Sequence, residues 1–132
     1  MAAILVIEDS PEDQAAVARI LAQHQLTFCE TLESGLASLR ANKPDAIVLD
    51  LNLPDSEGIE TAEAVSDVIH QLGYTLPVVV NSGTIEAEWR QRLHVYGWRY
   101  VVRKSSFDGL GEEVEFALAQ TALLLGRKPH GQ

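Results

Sequence analysis

Residues 46–54 read AIVLDLNLP, and this segment gives the clearest indication of the fold. A short aliphatic run ends abruptly at a carboxylate, Asp50, and residues 4–9, which read ILVIED, repeat the pattern. Short apolar runs bounded by polar residues are typical of strands buried on both faces of a parallel sheet. In such sheets functional groups gather at the carboxyl ends of the strands. We therefore expect Glu8, Asp9 and Asp50 to meet at one edge, where a hard divalent cation would offset their repulsion.

The composition indicates one cytoplasmic globular domain. The chain has 132 residues, of which 46% are apolar and 22% charged, as in ordinary folded domains. A net charge of −9 argues against nucleic acid or an anionic membrane as a direct partner. The chain has no apolar stretch of membrane-spanning length, no signal pattern at its N-terminus, and a single cysteine, Cys29, which suits a reducing compartment.

Strand and helix patterns alternate along the whole chain. Strands are predicted at 3–7, 26–30, 45–49, 78–81 and 99–103, and helices at 11–23, 32–41, 57–71, 84–96 and 106–125. Ser10 and Pro11 begin the first helix, because serine is a good N-cap and proline suits the first helical position. Five such units without a break predict an α/β fold, a single doubly wound parallel sheet with helices on both faces.

Polar side chains follow four of the predicted strands. These are Glu8 and Asp9, then Asp50, Ser82 and Lys104. Carboxylates and a backbone carbonyl suit Mg²⁺, whereas a hydroxyl and an ammonium group suit an anion bound to the metal. Together they predict a phosphoryl site with a carboxylate nucleophile. A dinucleotide site would need a glycine-rich turn after the first strand, where residues 8–13 read EDSPED and would repel phosphate.

The same segments resemble the receiver domain of bacterial two-component response regulators. The matching segments are residues 4–9, 47–58 (IVLDLNLPDSEG), 77–83 (PVVVNSG) and 102–104 (VRK). The resemblance extends to about Leu125 and implies a CheY-like, flavodoxin-type sheet of five strands in the order 2-1-3-4-5 with five helices. It also implies a receiver domain over residues 1–126, with 127–132 as a flexible tail or the stump of a linker to further domains.

The resemblance implies a metal and a phosphoryl acceptor. Asp50 would accept a phosphoryl group from a phosphohistidine on a sensor histidine kinase or phosphotransfer protein. Asp9 would bind Mg²⁺ directly, Glu8 would act mostly through water, and the backbone carbonyl of Asn52 would be a further ligand. The chain would be no enzyme in the usual sense, since it would catalyse only its own phosphorylation and dephosphorylation.

The resemblance also implies roles for residues that face the phosphoryl group. Ser82 would donate a hydrogen bond to it, Lys104 would pair with Asp50 or its phosphate, and Asn52 and Thr84 would tune its lifetime. The switched surface would be the fourth helix, fifth strand and fifth helix. One alternative is a receiver-like interaction module that is never phosphorylated, although the intact carboxylates argue against it.

Two other classes compete less well. A haloacid-dehalogenase-type phosphatase also uses an aspartate after a strand, but it would want a second acid two residues later, where this chain has Asn52. An α/β redox or flavin protein would need a cysteine pair or a phosphate-binding loop, and the sequence has neither.

The chain departs from the family pattern at two positions. Ser105 stands where most receivers carry a proline after the lysine, and a cis bond before serine costs about 3 kcal/mol, so a trans bond or a shifted loop is expected. Val101 stands where an aromatic switch residue is usual. Strand alternation sends the neighbouring Tyr100 to the opposite side of the sheet, so it cannot simply substitute.

Aromatic residues cluster in the fourth helix and fifth strand. Two interpretations stay open, a rearranged core or a contact surface, and a second apolar stripe on the fifth helix favours the surface. We therefore expect a homodimer or partner interface formed by Trp89, Tyr96, Trp98, Tyr100, Phe116 and Leu123. The four histidines, at positions 24, 70, 94 and 130, lack metal-binding spacing and are expected at the surface.

Overall fold

The structure, a computed structural model, describes residues 1–102 and 107–126. The strands of its main sheet are β1 (Ala3–Ile7), β2 (Gln25–Cys29), β3 (Ala46–Leu49), β4 (Val78–Ser82) and β5 (Arg99–Val102). The helices are α1 (Pro11–Ile20), α2 (Leu32–Ala41), α3 (Ile59–Gln71), α4 (Ala87–Tyr96) and α5 (Leu110–Leu124). Within the described ranges, no helix is both long and apolar enough to cross a membrane.

All five strands run parallel, in the order β2-β1-β3-β4-β5. The predicted α/β class, strand order and helix number are confirmed. β1 and β3 lie side by side at the centre, with Ile7 opposite Leu49. The backbone N–H groups of the next residues continue the two ladders of β1. The Asp50 N–H donates to the Ile7 carbonyl at 3.0 Å, between β3 and β1, and the Glu8 N–H donates to the Cys29 carbonyl at 2.9 Å, between β1 and β2.

Each face of the sheet buries its own cluster of apolar side chains, because successive strand residues point to opposite faces. One cluster joins Ile7, Leu49 and Val80 to Val65 of α3 and Leu93 of α4. The other joins Val6, Val48 and Val79 to Val17 of α1 and Val114 of α5. Helices α2, α3 and α4 therefore cover one face, and α1 and α5 cover the other. Strands apolar on both sides, as the sequence predicts, are what this layering requires.

Four helices are shorter than the sequence predicts. α1 ends at Ile20 rather than near residue 23, because the chain turns through residues 21–23 so that Leu21 is fully buried. α4 begins at Ala87, since residues 83–86 form a connection that buries Ile85 against the core. α3 begins at Ile59, after Gly58.

α5 runs from Leu110 to Leu124 rather than from 106 to 125. Residues 107–109 are not helical, and Gly109 precedes the helix with a φ of +86°. The predicted first residue, Ser106, falls outside the described residues.

Helix α4 is the least buried of the five. Leu93 is its only buried residue, whereas α5 buries five. Two contacts hold α4 toward α3: Arg92 donates a hydrogen bond to Glu63, and the Trp89 ring lies over Gly58, where a Cβ would sit 3.3 Å from the ring. An element with so little buried surface is held by few interactions and is easily displaced.

The aromatic cluster divides between core and surface. Trp98 lies in the core against Tyr96, with ring centroids 4.9 Å apart. Tyr100, Phe116 and Leu123 are exposed, at 38%, 51% and 68%. The rearranged-core interpretation is therefore right for Trp98, which is unavailable to a partner, and the exposed residues remain candidates for a contact surface. Val101 is buried with the α1 and α5 face, away from Val102, as alternation predicts.

His24 lies inside the protein, so the expected surface position is wrong for this residue. Its side chain is only 3% exposed, and its Nδ1 accepts a hydrogen bond from the Ala2 N–H at 3.0 Å. Because Nδ1 accepts, the proton of the neutral ring lies on Nε2, which hydrogen-bonds Glu115. The imidazole thereby ties the start of β1 to α5.

Candidate functional site

Three carboxylates converge at the carboxyl ends of β1 and β3. One oxygen from each of Glu8, Asp9 and Asp50 lies within 4.8 Å of the others. Glu8 and Asp50 are buried, at 3% and 4% exposure, and Asp9 is half-buried. The pairing of Ile7 with Leu49 brings these acids together, because each follows directly on a paired strand.

The Asp50 carboxylate has two described donors of its own. Its Oδ1 accepts the backbone N–H of Asn52 at 3.0 Å and the Ser82 hydroxyl at 3.4 Å. Ser82 is the last residue of β4, the strand next to β3, and it is fully buried. The structure therefore places Asp50, the acceptor predicted after β3, in hydrogen-bonding contact with Ser82, the hydroxyl predicted after β4.

Glu8 and Asp9 occupy the turn into α1. Glu8 accepts the backbone N–H of Ser10 at 3.1 Å, and its carbonyl accepts the Gln14 side-chain amide at 2.6 Å. Ser10 in turn caps the helix by accepting the Asp13 N–H at 3.3 Å. The backbone around the acids is thus fixed by the helix that follows them.

The loop after Asp50 is more ordered than the sequence predicts. Residues 52–53 pair antiparallel with 56–57, and this small hairpin was expected to be an irregular loop. The Leu51 carbonyl accepts the Gly58 N–H at 2.7 Å and the Thr61 hydroxyl at 3.2 Å. Thr61 also hydrogen-bonds Ser56 at 2.7 Å. That Thr61 and Ser56 hold this loop was not predicted from the sequence. The one available signal was the position of Thr61, a hydroxyl residue among the apolar residues on the buried side of α3.

The remaining predicted residues have different positions. Asn52 begins the small hairpin directly beside the acids, with an exposed side chain. Thr84 is exposed in the connection between β4 and α4. Lys104 lies outside the described residues, as does Ser105.

The carboxylate cluster has the dimensions of a divalent-metal site. Mg²⁺ binds oxygen at about 2.1 Å in octahedral geometry, so neighbouring oxygens stand about 3.0 Å apart and opposite oxygens about 4.2 Å apart. The three carboxylate oxygens lie within 4.8 Å of one another, which is near enough for all three to reach one ion. Buried carboxylates without a cation repel one another strongly, whereas carbonyl and carboxylate oxygens are the donors Mg²⁺ prefers. The residues present therefore fit the ion.

The fold and the carboxylate cluster define a CheY-like α/β domain that carries an acidic site at the carboxyl ends of its central strands. The chain belongs to the response regulator receiver domain family, which matches residues 4–114. Proteins of this family take part in two-component signalling, where they interact with histidine kinases or phosphotransfer proteins.

Individual relatives match smaller shares of the chain. The KDP operon transcriptional regulatory protein KdpE of Escherichia coli (strain K12) is 42% identical over 55 residues, which are 37% of this chain and 24% of KdpE. The chain thus spans about a quarter of the length of that relative.

Solved receiver structures show the same fold. The signal receiver domain of a LuxO repressor protein from Vibrio parahaemolyticus is 22% identical, with a TM-score of 0.79, over 93% of this chain and 94% of that one. Response regulator TrrA from Thermotoga maritima, in complex with Mg²⁺ and BeF, is 23% identical, with a TM-score of 0.72, over 89% of this chain and all of that one.

Proposed function

We propose that this chain is a phosphorylation-controlled switch in which Asp50 accepts a phosphoryl group in a Mg²⁺-dependent reaction. The observation that carries the proposal is the convergence of three carboxylate oxygens within 4.8 Å, together with the buried Ser82 hydroxyl that donates a hydrogen bond to Asp50. The donor would be a phosphohistidine of a sensor kinase or phosphotransfer protein, in the cytoplasm.

Each side chain has a definite part in this reaction. Asp9 and Asp50 would hold Mg²⁺ directly, Glu8 through water, and Asn52 through its backbone carbonyl. Bound there, the ion would neutralise charge on the transferring group. Ser82, already hydrogen-bonded to Asp50, would donate to a phosphoryl oxygen. TrrA, a response regulator of the same fold, forms a complex with Mg²⁺ and BeF, which supports a metal and phosphoryl site in this chain too.

Two further assignments rest on the family. Lys104 would pair with the phosphorylated Asp50, and the side chains of Asn52 and Thr84 would set how long the phosphoryl group persists. Both of these side chains are exposed. Asn52 lies two residues after Asp50 and Thr84 two residues after Ser82, where they would control the approach of water. The domain would comprise residues 1–126, with 127–132 as a tail or linker.

The switch would act on α4. A change from about 1:99 to 99:1 between two conformations needs roughly 5.5 kcal/mol of preference. Charge-assisted hydrogen bonds at the phosphoryl group contribute about 1.5–3 kcal/mol each, so a few of them are sufficient. α4 buries only Leu93, and residues 83–86 connect it directly to Ser82. It is therefore the element that new hydrogen bonds at the phosphoryl group would displace most easily.

The surface of α4, β5 and α5 is our candidate for association with a second copy. Tyr100, Phe116 and Leu123 are exposed there, and Trp89 and Tyr96 of α4 are half-buried. Large exposed apolar side chains on neighbouring elements are typical of interaction sites.

The experiment that tests the function is labelling by a small phosphodonor. Native protein should gain an acid-labile label with Mg²⁺ and lose nearly all of it with a chelator, because the uncompensated carboxylates repel the donor. Asp50→Asn should abolish labelling, while Asp67→Asn, which removes an exposed aspartate on α3, should leave it unchanged. Persistent labelling of Asp50→Asn would show that the acceptor is wrongly assigned. A native chain that never labels would favour the non-phosphorylated interaction module.

A further inference from the structure

The first turn of α2 takes two of its hydrogen-bond acceptors from a different part of the chain. Thr31 accepts the Ser34 N–H at 3.0 Å, and Ser34 accepts the Thr31 N–H at 3.3 Å, which completes a capping box. The N–H groups of Leu32 and Glu33 donate instead to the carboxylate of Asp55, at 2.8 and 3.0 Å. One oxygen of Asp55 serves each donor, so the contact is a two-point bridge.

Asp55 stands at the tip of the hairpin that follows the acceptor aspartate. Pro54 and Asp55 are the two turn residues between the paired segments 52–53 and 56–57. The base of the hairpin is fixed toward α3 through the Leu51 carbonyl, and Asp55 fixes its tip toward α2. Asn52, whose carbonyl is proposed to bind Mg²⁺, lies between these two attachments.

The charge of Asp55 suits this position. The two backbone N–H groups hold the pKa of the Asp55 carboxyl below its ordinary value of 3.8, so the bridge is ionised at neutral pH. A carboxylate at a helix N-terminus interacts favourably with the helix dipole. Asp55 therefore carries its negative charge at the N-terminus of α2.

We propose that Asp55 is a positioning residue for the metal site: it holds the hairpin against α2 and so fixes the Asn52 carbonyl relative to the acids. This inference rests on the Mg²⁺ site of the proposed function. Groups that orient a metal ligand without touching the metal affect affinity by about 10–100-fold. The alternative is that Asp55 only stabilises α2 as a cap.

The two roles are separated by comparing Asp55→Asn with Thr31→Ala. Both variants weaken the N-terminus of α2, but Thr31→Ala leaves the hairpin bridge in place. Mg²⁺ affinity would be measured by calorimetry on the full chain well below the unfolding temperature, and the unfolding temperature of each variant in the absence of Mg²⁺. Glu60→Gln, which neutralises an exposed acid in the first turn of α3, controls for the loss of one negative charge.

The positioning role predicts that Asp55→Asn binds Mg²⁺ about tenfold more weakly, while Thr31→Ala and Glu60→Gln bind as the native chain does. Equal weakening in Asp55→Asn and Thr31→Ala would reduce Asp55 to a helix cap, and native affinity in Asp55→Asn would overturn the proposal outright. If the native chain binds no Mg²⁺, the proposed metal site fails and this inference fails with it; that result differs from the first two because the native control itself is negative.

Discussion

Glu8, Asp9 and Asp50, at the carboxyl ends of β1 and β3, make a large electrostatic contribution to the free energy of the folded protein. Glu8 and Asp50 are almost completely buried, and both lie close to Asp9. A buried carboxylate is unfavourable unless it is hydrogen-bonded or paired with a cation. Backbone N–H groups of Ser10 and Asn52 and the hydroxyl of Ser82 offset part of this cost, and a divalent ion bound as we propose would offset more of it.

Asp55 makes a pH-dependent contribution to stability whose sign follows from its lowered pKa. A carboxyl with a lower pKa in the folded protein stabilises it above the unfolded value of 3.8, and this contribution is lost as the pH falls through the folded value. We therefore expect Asp55→Asn to unfold at a lower temperature than the native chain near pH 7. The difference should shrink only below about pH 4. Thermal unfolding from pH 7 to pH 3 measures it, and a difference that grows on acidification would contradict the assignment.

The hydrogen-bond partners of Asp55 could not be predicted from the sequence, whereas the convergence of the three acids at the ends of β1 and β3 could. Glu8, Asp9 and Asp50 each follow an apolar run, so strand pairing alone brings them together. Asp55 bonds residues 22 and 23 positions away, through a hairpin whose own formation was unexpected. Local sequence carries no signal for such a contact.

Elements with strong internal signals were predicted well, and their ends were predicted less well. α2 runs from Leu32 to Ala41 as expected, since a capping residue begins it and Pro44 follows closely. α1 and α4 were predicted too long, because the burial of Leu21 and Ile85 by non-helical backbone depends on tertiary packing. The hairpin at residues 52–57 was missed, since its paired segments have only two residues each.

The contact between Gly58 and Trp89 joins the acceptor loop to α4. Gly58 has φ +71° and ψ −153°, a conformation open essentially to glycine alone. Gly58→Ala should therefore lower the free energy of unfolding by about 1–3 kcal/mol through backbone strain, and further by crowding the ring 3.3 Å away. Gly73→Ala is a control for positive φ alone, because its φ is +67° and nothing lies within 4 Å of the added Cβ. Urea unfolding of both variants measures the difference, and a loss in Gly58→Ala no larger than that in Gly73→Ala would show that neither the Gly58 conformation nor the Trp89 contact adds a cost.

The whole molecule combines a strongly acidic surface with an apolar patch on one side. The net charge of −9 opposes association of copies in general, so any dimer must rest on a defined surface. The exposed residues of α4, β5 and α5 are our candidate for such a surface, and Phe28 of β2 is a large exposed residue at the other edge of the sheet.

We expect the native chain to sediment as a larger species when Mg²⁺ and beryllofluoride mimic the phosphoryl group than without them. Phe116→Ser should weaken this association about tenfold, because a buried aromatic at an interface contributes more than 1 kcal/mol. Phe28→Ser should associate like the native chain. A native chain that stays monomeric at high concentration in both conditions would exclude the homodimer.

The register that sets Ile7 beside Leu49 has a consequence for the stability of the fold. An unfolded chain keeps the acids of the two central strands at fluctuating separations, so Asp50 cannot share an ion with Glu8 and Asp9 there. An ion that binds the native state alone lowers the free energy of that state by RT ln(1 + [Mg²⁺]/Kd), about 2.7 kcal/mol at a hundredfold excess over Kd. Mg²⁺ bound as we propose would therefore raise the free energy of unfolding of the whole domain.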